Sequence, residues 1–298
     1  VFPNSQLYDD NKVIEAMRLS SSKTTGIMGA PSLSKFVKFS KQLQIFDIPF
    51  IFNNLEDVHR LADSPVAGKL VKPLESKGIK GLAFWDSGMK VFSVRGKTPL
   101  IKIPEDFKGK KFRIQTSDVH DAMIKSLGGV PQKLPFKEVY TSLSQGVVDG
   151  QENSWSNIYS KKFFEVQDYI TVSNHSYLGY LVVVSSKFWD GLPKDIREEL
   201  NAIITEVTVK ARKFAAESDA KDIAKITAAK KAKIVELDAK NRELWKKATA
   251  SVEKQFKKDI GVKILKEAKA VIASGGKVMK DKKMMDEKKM MKDKKAAN

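Results

Sequence analysis

Short apolar runs alternate with helical patterns up to about residue 190, and beyond that point the chain is helix-patterned almost throughout. "KTTGIMGAPSL" (23–33) reads as a buried strand ending in a Gly/Pro loop, and "SKFVKFSKQL" (34–43) as a short amphipathic helix. "IFDIPFIF" (45–52) carries a proline, which suits a loop packed into a core better than a central strand. Residues 54–78 are helical, with a proline to break them, and strands follow over 79–88 and 90–96. A turn and strand are predicted over 104–115. A helix follows over 116–129, with Ser117 and Asp118 as N-cap candidates and Gly128 and Gly129 as its stop. A second helix over 136–146 precedes strands over 147–153, 169–175 and 180–186. This βαβαβ order predicts an α/β architecture with largely parallel pairing.

Residues 194–237 are helix-compatible without a proline or glycine. Globular helices rarely exceed about 25 residues, so this one is either broken or reaches across two domains. The last 22 residues (277–298) hold nine Lys against four acids and a recurring Met pair, which reads as a solvated low-complexity tail. The chain opens at Val1 without Met and reads as a chain cut into, with an upstream segment expected.

At 298 residues, with 42% hydrophobic and 30% charged residues, about two packed domains are expected. The absence of cysteine excludes a disulfide scaffold, a thiolate metal site and a cysteine nucleophile. No apolar run approaches the ~20 residues a membrane-spanning helix needs. The net charge of +18 raises the possibility of a nucleic-acid partner, but acids interleave the Lys-rich helices, so solvated helix faces account for it better.

The richest stretch chemically is "GVVDGQENSWSNIY" (146–159). Asp149 and Glu152 could be a catalytic acid pair. On a regular strand, however, Asp149, Gln151 and Asn153 share one face and Glu152 takes the other. Paired-carboxylate chemistry needs convergence, so the parity points away from it, toward two amides that orient a ligand. His59, His120 and His175 are far apart in sequence and lack the spacing of a zinc site. Neither a Gly-x-Ser-x-Gly elbow nor a full phosphate loop occurs, and "SGGK" (274–277) ends a helix. Arg113, on a strand leading into a helix, stands where α/β sheets gather ligands, and a guanidinium can hold a carboxylate with two parallel hydrogen bonds. A surface arginine paired to a neighbouring acid is the alternative reading of that residue.

"FKGKKFRIQTS" followed by "PFKEVYTSLSQGVVDGQENSWSNIYSKKFFEVQDYITVSNHSYLGYLVVVSSKFWDGLP" resembles the solute-binding proteins of tripartite ATP-independent periplasmic (TRAP) transporters, closest to the dicarboxylate-binding DctP type. The resemblance begins near Val1 ("PNSQLY", "APSLSKF", "DIPFIF") and runs to about residue 270. It implies a two-lobed α/β fold of the periplasmic-binding-protein type (type II-like), with discontinuous lobes. Lobe I would comprise 1–90 and 180–218, lobe II 91–179 and 219–275, with the tail at 276–298. The long helix would span both lobes, and a strand and helix would precede Val1. By resemblance, Arg113 holds the ligand carboxylate in a salt bridge and Asn153 shares it. Phe136 packs on the ligand, Thr116 is a polar neighbour of the arginine, and Lys90 is a second basic residue. Trp85 and Trp155 are candidate cleft walls.

The function implied is a periplasmic receptor, acting as a single chain without a cofactor. It would close on an organic acid and deliver it to a TRAP membrane permease. Succinate, fumarate or malate are the expected ligands, with 2-oxo acids, sugar acids or sialic acid as alternatives. An enzyme on a similar scaffold would need a general acid or base in the cleft, which is not evident. A nucleic-acid-binding protein would need aromatics for stacking, which the tail lacks.

Overall fold

A computed structural model describes residue 2 and residues 6–275. The Lys/Met tail, the "SGGK" lysine and most of the opening "VFPNS" lie outside the described residues. In chain order the elements are α1 (Asp10–Leu19), β1 (Met28–Gly29), α2 (Leu55–Ala62), α3 (Pro65–Val71), β2 (Ile79–Met89) and β3 (Val91–Val94). Next come β4 (Lys111–Ile114), α4 (Asp118–Ser126), β5 (Val130–Lys133), α5 (Val139–Ser144), β6 (Gly150–Asn153) and α6 (Trp155–Ser160). The chain finishes with β7 (Tyr169–Val172), β8 (Tyr177–Ser185), α7 (Ser186–Gly191), α8 (Lys194–Ala229), β9 (Lys233–Glu236), α9 (Ala239–Ile260) and α10 (Val262–Ala273).

The strands form a three-stranded sheet, β1-β8-β2, and a six-stranded sheet, β5-β4-β6-β3-β7-β9. This is the two-sheet α/β architecture expected. The pairing is not largely parallel, though: the smaller sheet is antiparallel, and β3 runs antiparallel to both β6 and β7. Parallel pairs are confined to β4 with β5 and β6, and β7 with β9. The reason is the double crossing. β2 continues through Lys90 straight into β3, and β7 returns through 173–176 into β8. The return lies at 173–176, a little before residue 180, where lobe I was expected to resume, because Tyr177 already pairs with Met89 in the smaller sheet.

Capping chemistry places the helix starts as anticipated. Ser117 is the cap of α4, its Oγ accepting from the His120 N–H at 3.2 Å, and Asp118 falls inside the first turn. Gly128 follows this helix with φ +92°, a conformation that costs glycine little. Pro65 sits in the first turn of α3 and separates it from α2. The expected helix at 34–43 is instead two short 3₁₀ turns, Leu33–Phe36 and Lys41–Asp47. Leu33, Ser34, Phe36 and then Leu43 through Asp47 are all buried, so no continuous polar face exists for an amphipathic helix. The core-packed loop predicted from "IFDIPFIF" is realised with Ile45, Phe46, Ile48 and Phe52 at 2% exposure or less, although its first residues close the second 3₁₀ turn.

α8 is 36 residues long, about 54 Å at 1.5 Å per residue. It stops before the expected 237: Lys230 adopts φ +50°, and "KIVE" becomes β9 on the edge of the larger sheet. The helix touches both halves. Arg212 makes a two-armed salt bridge with Asp63 beside α2, and Asp219 accepts from the Ser156 N–H at 3.1 Å in α6. α10 packs against α2 and α3, and Lys69 pairs with Glu267, so the stretch 219–275 does not lie wholly with the larger sheet. One apolar core runs beneath both sheets and the α9–α10 pair, and a second gathers under α5, α6 and α8.

Candidate functional site

The two sheets face each other across a cleft of about 1340 Å³. The larger-sheet side is built at the carboxyl ends of β4 and β6. Arg113 and Gln115 are two residues apart on β4 and its extension, so both project the same way, and both line the cleft. Arg113 is 5% exposed. Its Nε and Nη2 donate to the Leu134 carbonyl at 3.1 and 2.9 Å, which locks the plane and leaves Nη1 without a partner among the described residues. Burial pushes its pKa down to about 10, opposed by the charge of Glu152, so it remains cationic near neutral pH. Phe136 lies beneath it with 5.8 Å from ring centroid to guanidinium carbon, and the Lys161 ammonium is 5.7 Å from the same ring.

Asn153 ends β6 and faces the cleft. Its Oδ1 accepts from the Ser154 N–H and from Asn157 Nδ2 at 3.2 and 2.8 Å. A backbone N–H can only donate, so the orientation of the amide is settled and Nδ2 is the group left for a ligand. Gln151 does not join it: its Nε2 donates to Ser93 Oγ, its cross-strand neighbour, at 2.9 Å. The pleat ends at Asn153, where the chain turns into α6, and strand parity fails there.

Glu152 and Lys90 form the cleft floor. Both are about 1% exposed, and Lys90 Nζ lies 2.8 Å from Glu152 Oε2, a charge contact rather than an aligned hydrogen bond. Around them, His120 Nε2 stands 3.4 Å from Lys90 Nζ and 3.7 Å from Asp47 Oδ1, and His175 Nε2 stands 3.7 Å from Glu152. Burial alone would raise the Glu152 pKa, but Lys90 with the two histidines outweighs it and holds this carboxyl well below its usual range. Burial pushes His175 down to about 4 against the pull of Glu152, so the imidazole is neutral at pH 7. His120 and His175, far apart in sequence, thus meet at the crossing between the sheets, whereas His59 pairs with Asp86. Lys90 does line the cleft, but as one half of a buried ion pair. It is not a free cation.

The smaller-sheet side of the cleft carries Trp85 and its cross-strand partner Tyr180, with Asp10, Ser32 and Lys35. Trp85 Nε1 donates to Thr208 Oγ1 at 3.0 Å, which ties this wall to α8. Of the seven expected residues, Arg113, Asn153, Lys90, Phe136 and Trp85 come together on the cleft. Trp155 belongs instead to the second apolar core, 6% exposed among Val139, Leu143 and Ile226. Thr116 is exposed and off the lining, because the backbone turns between Gln115 and the cap of α4. Gln115 was recoverable from two-residue parity with Arg113. Asn157 was recoverable from its helical i+4 relation to Asn153. The acids Asp149 and Glu152 have separate tasks, Asp149 accepting the Lys111 N–H at 2.7 Å.

An architecture of two sheets crossed twice, with a buried arginine open to the cleft, defines a two-lobed solute-binding protein. The family model "Bacterial extracellular solute-binding protein, family 7" (DctP) matches residues 1–259, and the chain belongs to that family. The C4-dicarboxylate-binding periplasmic protein DctP of Vibrio cholerae is 44% identical, over 91% of this chain and 79% of that protein. A TRAP periplasmic solute-binding protein of Shewanella oneidensis, solved with bound succinate, superposes with a TM-score of 0.84. It is 41% identical and covers 91% of this chain and 87% of its own. One from Pseudomonas aeruginosa with bound L-malate has a TM-score of 0.78 at 39% identity, covering 85% of each chain. The protein is a DctP-type TRAP solute-binding receptor, of an extracellular family that serves transport. No helix among the described residues is long and apolar enough to cross a membrane.

Proposed function

We propose that this receptor captures a C4-dicarboxylate in the periplasm and hands it to a TRAP membrane permease, without transforming it. The observation that carries the reading is the state of Arg113: buried, charged, immobilised by Leu134, and with Nη1 unpartnered among the described residues. One ligand carboxylate is held by Nη1 and by Asn153 Nδ2, over the Phe136 ring. Charge-assisted hydrogen bonds of this kind contribute on the order of 1.5–3 kcal/mol each. Closure follows because a ligand touching both lobes prefers the closed form, and the equilibrium shifts by that preference. The permease, rather than this chain, couples uptake to an ion gradient. A binder fits the site better than an enzyme, since Glu152 and Asp149 are each committed to structural partners.

Thermal shift with succinate, fumarate, malate, 2-oxo acids and sugar acids tests this. At a ligand concentration 100 times Kd, stabilisation of about 2.7 kcal/mol is expected for a C4 diacid. A panel in which no carboxylate stabilises the protein sinks the reading. A second reading, a sugar-acid receptor, is favoured by one finding: a Sulfitobacter relative of this fold, 26% identical with a TM-score of 0.79, holds β-D-galacturonate. Stabilisation by galacturonate and not by succinate would select it.

A further inference from the structure

We infer that the outer face of the α9–α10 pair is a docking surface for an anionic phospholipid bilayer, on which this receptor rests clear of its own cleft. The inference goes beyond the ligand reading above and does not depend on which acid the cleft takes.

Charge is unevenly placed along this chain. Residues 239–298 carry 19 Lys and Arg against 8 acids, +11 of the total +18. Every acid of α9 and α10 already holds a lysine: Glu243 with Lys246, Glu253 with Lys269, Asp259 with Lys41 and Glu267 with Lys69. Four of the lysines left over, Lys240, Lys247, Lys254 and Lys258, follow one another at seven, seven and four residues, so they form a single row along α9. The row is about 27 Å long at 1.5 Å per residue. Trp245, Thr249, Val252, Phe256 and Ile260 are buried on the opposite side of the helix, so the row points outward. All four lysines are exposed, and none makes a salt bridge among the described residues. Lys257, Lys263 and Lys266, equally exposed, extend the charge around the corner into α10. The 23 residues after Gly275 add nine Lys against four acids.

An ordinary solvated helix face alternates its signs, as α8 does with Lys194–Glu198, Glu206–Lys210 and Lys213–Glu217. No acid stands in the α9 row. Its chemistry favours a lipid surface over other polyanions. Lysine is a hydrated point charge that suits mobile headgroups, whereas phosphates and carboxylates at fixed positions are gripped best by arginine forks. Arg242, the arginine of this region, is turned inward to the Ser173 carbonyl. Trp245 and Phe256 are buried, which leaves no ring on this face for bases to stack on. Leu244, 47% exposed, stands on the same side of α9 between Lys240 and Lys247, placed to enter a headgroup layer. A straight row of cations matches a plane. Among the described residues, none of α9 or α10 lines the cleft, so docking here leaves the cleft free.

Co-sedimentation of the full chain with vesicles tests this. Vesicles of about 30% phosphatidylglycerol in phosphatidylcholine are compared with pure phosphatidylcholine at about 0.1 M salt. Wild type is expected to bind the anionic vesicles, to ignore the neutral ones, and to be released at about 1 M salt. Each lysine near such a surface is worth about fivefold in affinity, so changing four of them together (Lys240→Gln, Lys247→Gln, Lys254→Gln, Lys258→Gln) should weaken binding about 100-fold or more. A control with the same change in net charge on other exposed sites (Lys23→Gln, Lys97→Gln, Lys187→Gln, Lys231→Gln) should lose no more than about fivefold. Thermal melts separate misfolding from lost adsorption. Equal losses in the two variants would overturn the assignment, as would full binding by the α9 variant with loss only when the nine lysines after Gly275 are changed to Gln. Tighter binding to duplex DNA than to the vesicles at the same salt would give the face to nucleic acid instead. Wild type that ignores the anionic vesicles would also overturn it and leave the face to an acidic protein. Succinate calorimetry on the same samples reads the cleft alone, so a failure there bears on the receptor reading and not on this one.

Discussion

Arg113 and Lys90 are two buried cations on one cleft, and their surroundings are opposite. Lys90, where the chain crosses between sheets, faces a carboxylate at 2.8 Å and two histidines. Arg113, at the end of a strand, is held by a backbone carbonyl and an aromatic face and makes no salt bridge among the described residues. A paired buried charge is a structural part, and removing its partner leaves an uncompensated ion. An unpaired one that is held in place stores its attraction for something that arrives from solution. Both are buried; the availability of a close acid separates the hinge from the proposed binding site.

Four experiments press on this contrast. The largest effect is expected at the hinge: Glu152→Gln strands Lys90 and should cost about 3–5 kcal/mol in urea unfolding, while Lys90→Met with Glu152→Leu together recovers much of it. A Glu152→Gln protein as stable as wild type would contradict the ion-pair account. Next, Arg113→Met should lower succinate affinity by about 3 kcal/mol, roughly 100-fold, with stability changed by less than about 1 kcal/mol. Affinity left intact would move the carboxylate elsewhere.

The third concerns pH. The Glu152 carboxyl is held below its unfolded value, so its contribution is complete above the ordinary carboxylate range and is lost as pH falls through it. His175 titrates near 4 in the fold against about 6.5 unfolded; the unfolded chain takes up that proton first, and stability drops between those values as pH falls. The melting temperature should therefore decline from pH 7 to pH 4, and His175→Gln should flatten the upper part of the decline. A melting curve indifferent to pH over that window would count against the network. The smallest effect is expected at Phe136→Leu, which removes the ring under Arg113 and should weaken binding about two- to fivefold, roughly 0.5–1 kcal/mol. A larger loss would mean that the ring itself packs against the ligand.

Part of the proposed binding wall was legible along the chain, Arg113 from its strand position and Asn153 through the family resemblance. Arg113 and Asn153 close two short strands, and a guanidinium and an amide at strand ends are what a carboxylate requires. Trp155 was misplaced as a wall because a tryptophan after a strand reads the same whether it faces solvent, ligand or core. Gln151 was misplaced because the parity of β6 does not extend through its last residue. Lys90, expected as a second basic residue of the cleft, is paired with Glu152, and nothing in a spacing of 62 residues announces that contact.

The sequence by itself determined the α/β class, the helix caps, the buried loop at 45–52 and a long helix from residue 194. These follow from periodicity and local hydrogen bonding, which act over a few residues. Tertiary structure alone decided the antiparallel pairing, the end of α8 at β9, and the meeting of Asp47, Lys90, His120, Glu152 and His175. It also decided which cation stays free. Pairing direction depends on which strands, distant in the chain, are brought side by side, and a charge is neutralised by whichever acid lies closest in space, however distant in sequence.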